Sequence, residues 1–93
     1  MDRVALIRER LNQALAPTHL EIIDDSHKHA GHASARGGGH YTVTVVSTRF
    51  INHKPIDRHR LVYSAVADLM PAQIHALSIT ALTPEEQQSP RPV

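Results

Sequence analysis

Hydrophobic positions recur at three- and four-residue steps over residues 2–16, where Val4, Ile7, Leu11, Ala14 and Leu15 are separated by charged and amide side chains. That spacing predicts an amphipathic helix, closed by Pro17. From His19 to Ser26 the period drops to two. Leu20 and Ile22 fall on one face and Glu21 and Asp25 on the other, with Ile23 a mild exception, so the segment reads as a strand. A second alternation, His40–Ser47, sets Tyr41, Val43 and Val45 against Thr42 and Thr44, as in a half-buried strand. Helical spacing returns at Leu61, Val62, Ala65, Val66 and Leu69, with Asp57 as the expected cap and Pro71 as the stop. A last strand is predicted over Ile74–Leu82, with His75, Leu77, Ile79 and Ala81 on one side and Ala76, Ser78 and Thr80 on the other. Residues 27–39 have no period and hold all four glycines, which predicts a loop.

The order helix–strand–strand–helix–strand implies an α+β fold, a two-layer αββαβ sandwich with both helices on the apolar face of the sheet. The first two strands should pair antiparallel, and the helical crossover favours a parallel third strand, giving a mixed three-stranded sheet. Ninety-three residues suffice for one such domain, which would bury roughly 60–65% of its unfolded surface. The domain is expected over residues 1–83. Residues 84–93, with three prolines and no apolar pattern, read as a flexible tail.

Composition then narrows the chemistry. Ten Lys and Arg against nine Asp and Glu give a formal charge of +1, so the chain as a whole is no polycation for nucleic acid. Eight histidines and no cysteine are the unusual entries. Without cysteine there is no disulfide, no thiolate zinc site, no thiol nucleophile and no iron–sulfur cluster held by this chain alone. Full protonation of the histidines would carry the charge to +9, so the protein should respond to pH near 6–7. The first residues carry no long apolar run, and a reducing cytoplasm without membrane attachment is the expectation.

The predicted topology divides the histidines. His27, His29, His32, His40 and His75 converge on one end of the sheet, while His53 and His59 lie at the other, with His19 apart. His75, in phase with Leu77 and Ile79, starts on the core side. It reads either as a half-buried histidine bonded to a carbonyl or as a metal ligand facing His29 or His40 in or beside the loop. At the far end Arg49, Lys54, Arg58, His59 and Arg60 gather around the start of the second long helix, as an anion site or as a solvated surface paired with acids. No nucleophile–base–orienter set is visible, and so small a chain offers little enclosed pocket, which argues against an enzyme.

The strings Arg49-Phe50, Arg58-His59-Arg60-Leu61-Val62-Tyr63 and Ile74-His75-Ala76-Leu77, with Leu20–Ser26 and His40–Val43 before them, resemble the BolA family signature. The likeness runs from about Arg3 to Thr83. It implies an αββαβ core similar to class II KH domains. It also implies partnership with a monothiol glutaredoxin across a bridging [2Fe-2S] cluster for iron–sulfur trafficking or iron and redox sensing, or else DNA-binding transcriptional regulation of stress response and cell morphology. In the family the cluster ligands are the histidine before the last strand and a His or Cys in the loop. These fall here on His75 and His29, with His40 and His32 as alternatives. His27 and Lys28 replace the small residues usual before the loop ligand. The sulfur ligands would then come from a glutaredoxin cysteine and glutathione, so no cluster is expected on the isolated chain, a monomer or weak homodimer. Histidine ligation implies a higher potential than all-thiolate ligation and a pH-dependent site. For the DNA alternative the resemblance points to duplex DNA and to Arg49, Lys54, Arg58, His59 and Arg60. Asn52 stands where the family usually has glycine, and Asn tolerates the positive φ that such a turn needs.

Overall fold

Asp2 starts the first helix by accepting the Ala5 N–H on its carboxylate at 2.8 Å. In the computed structural model, which describes residues 2–26, 39–70 and 72–88, helix α1 spans Arg3–Leu15 and buries Ile7, Leu11 and Leu15. It ends where Ala16 turns to a φ of 44°. Strands β1 (His19–Asp24), β2 (Gly39–Val46) and β3 (Ile74–Leu82) form a sheet in that order. β1 runs antiparallel to β2, and β3 parallel to it. The α+β class and the mixed sheet are those the periodicity predicts.

Between β2 and the second helix, Ser47 opens a single 3₁₀ turn, Thr48–Phe50, and drives Phe50 into the core with no exposed surface. The buried Ser47 hydroxyl donates to the Leu15 carbonyl at 2.6 Å, tying this turn to the end of α1. Helix α2 covers Pro55–Ala65. Asp57 does not cap it, contrary to expectation. Pro55 takes the first helical position, where its missing N–H costs nothing, and Lys54 stands at the cap without a side-chain bond. A second 3₁₀ turn, Ala67–Leu69, carries on the apolar stripe beyond α2, and Leu69 is buried. The core gathers Ile7, Leu11, Val43, Val45, Phe50, Val62, Val66 and Ile74 between the helices and one face of the sheet.

One departure and one set of contacts matter for function. Residues 84–88, expected as tail, form a short helix α3 (Pro84–Gln88). The Thr83 hydroxyl accepts the Glu86 N–H at 3.2 Å and Glu86 Oε1 accepts the Thr83 N–H at 2.9 Å, a reciprocal cap. β3 lies at the sheet edge, and α2 covers part of it: the Tyr63 hydroxyl donates to the Leu77 carbonyl at 3.1 Å and Arg58 to the Ala81 carbonyl at 3.2 Å. The loop with His27, His29 and His32, the helix stop at Pro71 and residues 89–93 lie outside the described residues.

Candidate functional site

Strict alternation would put His75 beside Leu77 on the core side. The structure corrects this. Gly39 pairs with Ile74 but His40 pairs with Ala76, so β3 carries one extra residue at His75. A one-residue slip exchanges the faces of a strand. Ile74 therefore fills the core position while His75 is exposed. Its ring comes within 5.2 Å, centroid to centroid, of the His40 ring, tilted by 52°.

The backbone around His40 is firmly held. Its N–H donates to the Ser26 hydroxyl at 3.0 Å, and its carbonyl accepts the Asp25 N–H at 2.8 Å. The Ser26 N–H donates to Asp24 Oδ1 at 2.9 Å, and the Thr42 hydroxyl to Asp25 Oδ2 at 2.5 Å. Gly39 donates to the Gln73 carbonyl at 3.2 Å. Thus the ends of all three strands meet at the imidazole pair. Of the predicted ligands, the fold brings His75 and His40 together, while His29 and His32 lie outside the described residues. Among those described, no three His, Asp or Glu side chains group to hold a metal ion. The supporting roles of Ser26 and Gly39 escape sequence reasoning, although Gly39 directly before His40 is a visible trace of a special backbone position.

The opposite end is less open than its charges suggest. Arg58 makes two bonds to Glu86, at 2.6 and 3.2 Å, and donates to the His53 carbonyl at 2.9 Å. Its side chain is only 12% exposed. The Arg58 guanidinium, helped by the Thr83 N–H, holds the Glu86 carboxyl at a pKa of about 2. Arg60 sits 3.5 Å from Asp57, on the solvent side. Arg49 and Lys54 are exposed, and His59 is half-buried. Asn52 adopts the expected positive φ, 68°. A cleft separates this turn from α3, lined by Ile51, Asn52, Arg58 and Thr83–Glu86.

A family profile described as BolA-like protein matches residues 11–86. The chain belongs to the BolA-like family. Its fold matches that of BolA1 from Arabidopsis thaliana with a TM-score of 0.81 and 39% identity, over 97% of this chain and 98% of that one. The chain is 42% identical over 86 residues to SufE-like protein 1, chloroplastic/mitochondrial, of the same plant, covering 86% of this chain and 23% of the relative. It is 35% identical over 80 residues to the DNA-binding transcriptional regulator BolA of Escherichia coli strain K12, covering 86% and 74%. This BolA-like chain spans between 23% and 58% of the length of the first plant and mammalian relatives it matches. Among its described residues no helix is long and apolar enough to cross a membrane.

Proposed function

We propose that this BolA-like chain is a non-catalytic adaptor that pairs with a monothiol glutaredoxin and lends imidazole ligands to a bridging [2Fe-2S] cluster, in iron–sulfur trafficking or iron and redox sensing. The observation behind this reading is the His40–His75 pair, two ring systems 5.2 Å apart at the end of a rigid sheet. The donor set suits the group. Imidazole nitrogens can replace thiolates on one iron of such a cluster. With no cysteine in the chain and only a pair of described imidazoles, the remaining ligands must come from elsewhere, which is what a shared cluster requires. The cluster, when bound, supplies one-electron chemistry and transferable iron and sulfide. The chain's own residues hold and orient the nitrogens: Ser26 and Asp25 fix the His40 backbone, and the extra residue in β3 turns His75 outward.

Anaerobic titration with the cluster-loaded glutaredoxin homodimer, followed by absorption and circular dichroism, tests the reading. A heterodimer with an altered spectrum is expected, and His75→Ala should lose it. Comparing His40→Ala with His29→Ala identifies the second ligand. No association, with or without cluster, would sink the proposal. The proposed setting is the cytoplasm, which cell fractionation checks.

Duplex DNA is the alternative partner, supported by the name of the E. coli relative and by the exposed Arg49 and Lys54. Arg58 and Arg60, however, already face carboxylates, and phosphate binding scales with the cations free to displace counterions. The adaptor reading is therefore preferred.

A further inference from the structure

The strand order leaves β1 at an edge of the sheet. The Asp25 N–H bonds to the His40 carbonyl, which fixes the parity of the strand. Odd-numbered residues turn their backbone groups toward β2, and Leu20 and Ile22 turn theirs away. Among the described residues nothing bonds to those outer groups of Leu20 and Ile22. The other edge differs, because Tyr63 and Arg58 occupy carbonyls of β3. Natural edge strands are commonly blunted by lysine or proline. His19–Asp24 has neither, and its middle is Ile22-Ile23. Ile23 breaks the alternation of the strand, lies outside the core cluster and is 47% exposed. Where local sequence departs from what the fold asks, function is the usual reason.

The charges along this strand complement those of a second copy. Two β1 strands joined antiparallel about a twofold axis can use only registers that bring outward-facing residues opposite one another. With Leu20 opposite Ile22, Glu21 would face Glu21 of the second copy. With Ile22 opposite Asp24, Glu21 would face Asp25. Like charges directly opposite destabilise a pair. Registers centred on Leu20 or on Asp24 overlap half of the strand or less. With Ile22 opposite itself, these faults disappear together. Glu21 then faces Ile23, and the exposed His19 faces Asp25, whose carboxylate the Thr42 hydroxyl holds in place. The two Ile23 side chains come onto the diagonal, roughly 7–8 Å apart and within reach of each other.

We infer that β1 is the contact of a homodimer, in which two copies of this chain join edge to edge, antiparallel and centred on Ile22, so that their sheets become one. The contact uses the same patch on both copies, and the β3 edges left outside have acceptors already taken, so the assembly closes at two. A strand of six residues makes a small interface, of the size of transient encounters rather than of obligate dimers, and the dimer therefore forms with rising concentration. The two His40–His75 pairs fall at opposite ends of the joined sheet, and the contact requires no cluster.

Sedimentation equilibrium of the intact chain up to about 1 mM, joined with amide hydrogen exchange, tests this. A monomer–dimer equilibrium is expected. With rising concentration the Ile22 amide should gain protection, while the amides of Glu21 and Ile23, bonded to β2 throughout, change little. Ile23→Lys should weaken dimerisation about tenfold, and His19→Glu, which sets a second acid against Asp25, by a similar factor. Both are exposed positions, and an unchanged far-ultraviolet dichroism spectrum confirms that the variants fold. His75→Ala should leave dimerisation unchanged. Because the chain has no cysteine, cross-linking reads the register directly. A mixture of Glu21→Cys and Ile23→Cys chains should form a mixed disulfide dimer faster than either variant does with itself. A monomer at every concentration, a dimer that Ile23→Lys leaves intact, or faster cross-linking of one cysteine variant with itself would each overturn the inference.

Discussion

A methyl group added to Gly39 would lie 2.6 Å from the Ser26 hydroxyl oxygen and 2.7 Å from both a ring carbon and the hydroxyl of Tyr41. None of these neighbours moves cheaply, since Tyr41 is buried and the Ser26 oxygen receives the His40 N–H. Gly39→Ala should therefore cost about 1–3 kcal/mol, the usual penalty of overpacking, read from urea denaturation. The same substitution should broaden or shift the His40 and His75 ring signals in a nuclear magnetic resonance spectrum, because β2 begins at this glycine and pairs there with Ile74, the first residue of β3. Wild-type stability in the variant would show that the contact is slack. His75 was legible in the sequence as a candidate, with His40 only an alternative to His29 as its companion, and the outward turn of His75 was not legible at all. Alternation assigns faces only while the register is unbroken, and the extra residue in β3 leaves no hydrophobic signature of its own.

At the scale of elements, the clasp between α2 and α3 links stability to acidity. Glu86 is held near 2 against an ordinary value of 4.5, chiefly by Arg58 and then by the Thr83 N–H. A depressed carboxyl adds stability that is complete above the ordinary value and is lost as pH falls through the depressed one. Wild type should thus lose stability between pH 4.5 and 2 more steeply than Glu86→Gln, as urea midpoints across that range would reveal. The 44% exposure of the Glu86 side chain keeps the difference small, because solvent screens the pair. Identical slopes would mean that the clasp does not persist in solution. Three strands and α1 were readable within a residue or two because their burial follows a regular period. α3 was not, since the three prolines of residues 84–93 and their polar composition mask the Thr83-x-x-Glu86 cap. The start of α2 was misassigned because Asp57 is a better cap by type than Lys54, while Pro55 decides where the helix begins.

For the whole molecule, the division that chain order suggested holds for the histidines described. His40 and His75 meet at one end of the sheet, while His53 and His59 lie with Arg49, Lys54, Arg58 and Arg60 at the other. Pairing with carboxylates then removes much of the cationic character. Side-chain partners seventy residues apart, such as Arg3 and Gln73 at 3.1 Å, cannot be read from spacing. The contacts from α2 to β3 have a further consequence. An open strand edge can recruit a foreign strand and grow without limit. Here the outer acceptors of Leu77 and Ala81 are already taken by Tyr63 and Arg58. Tyr63→Phe frees the first of them, and sedimentation at rising concentration should then reveal larger species that wild type does not form. By occupying the Leu77 carbonyl, the Tyr63 hydroxyl withholds one of the acceptors to which a second copy's strand would have to bond.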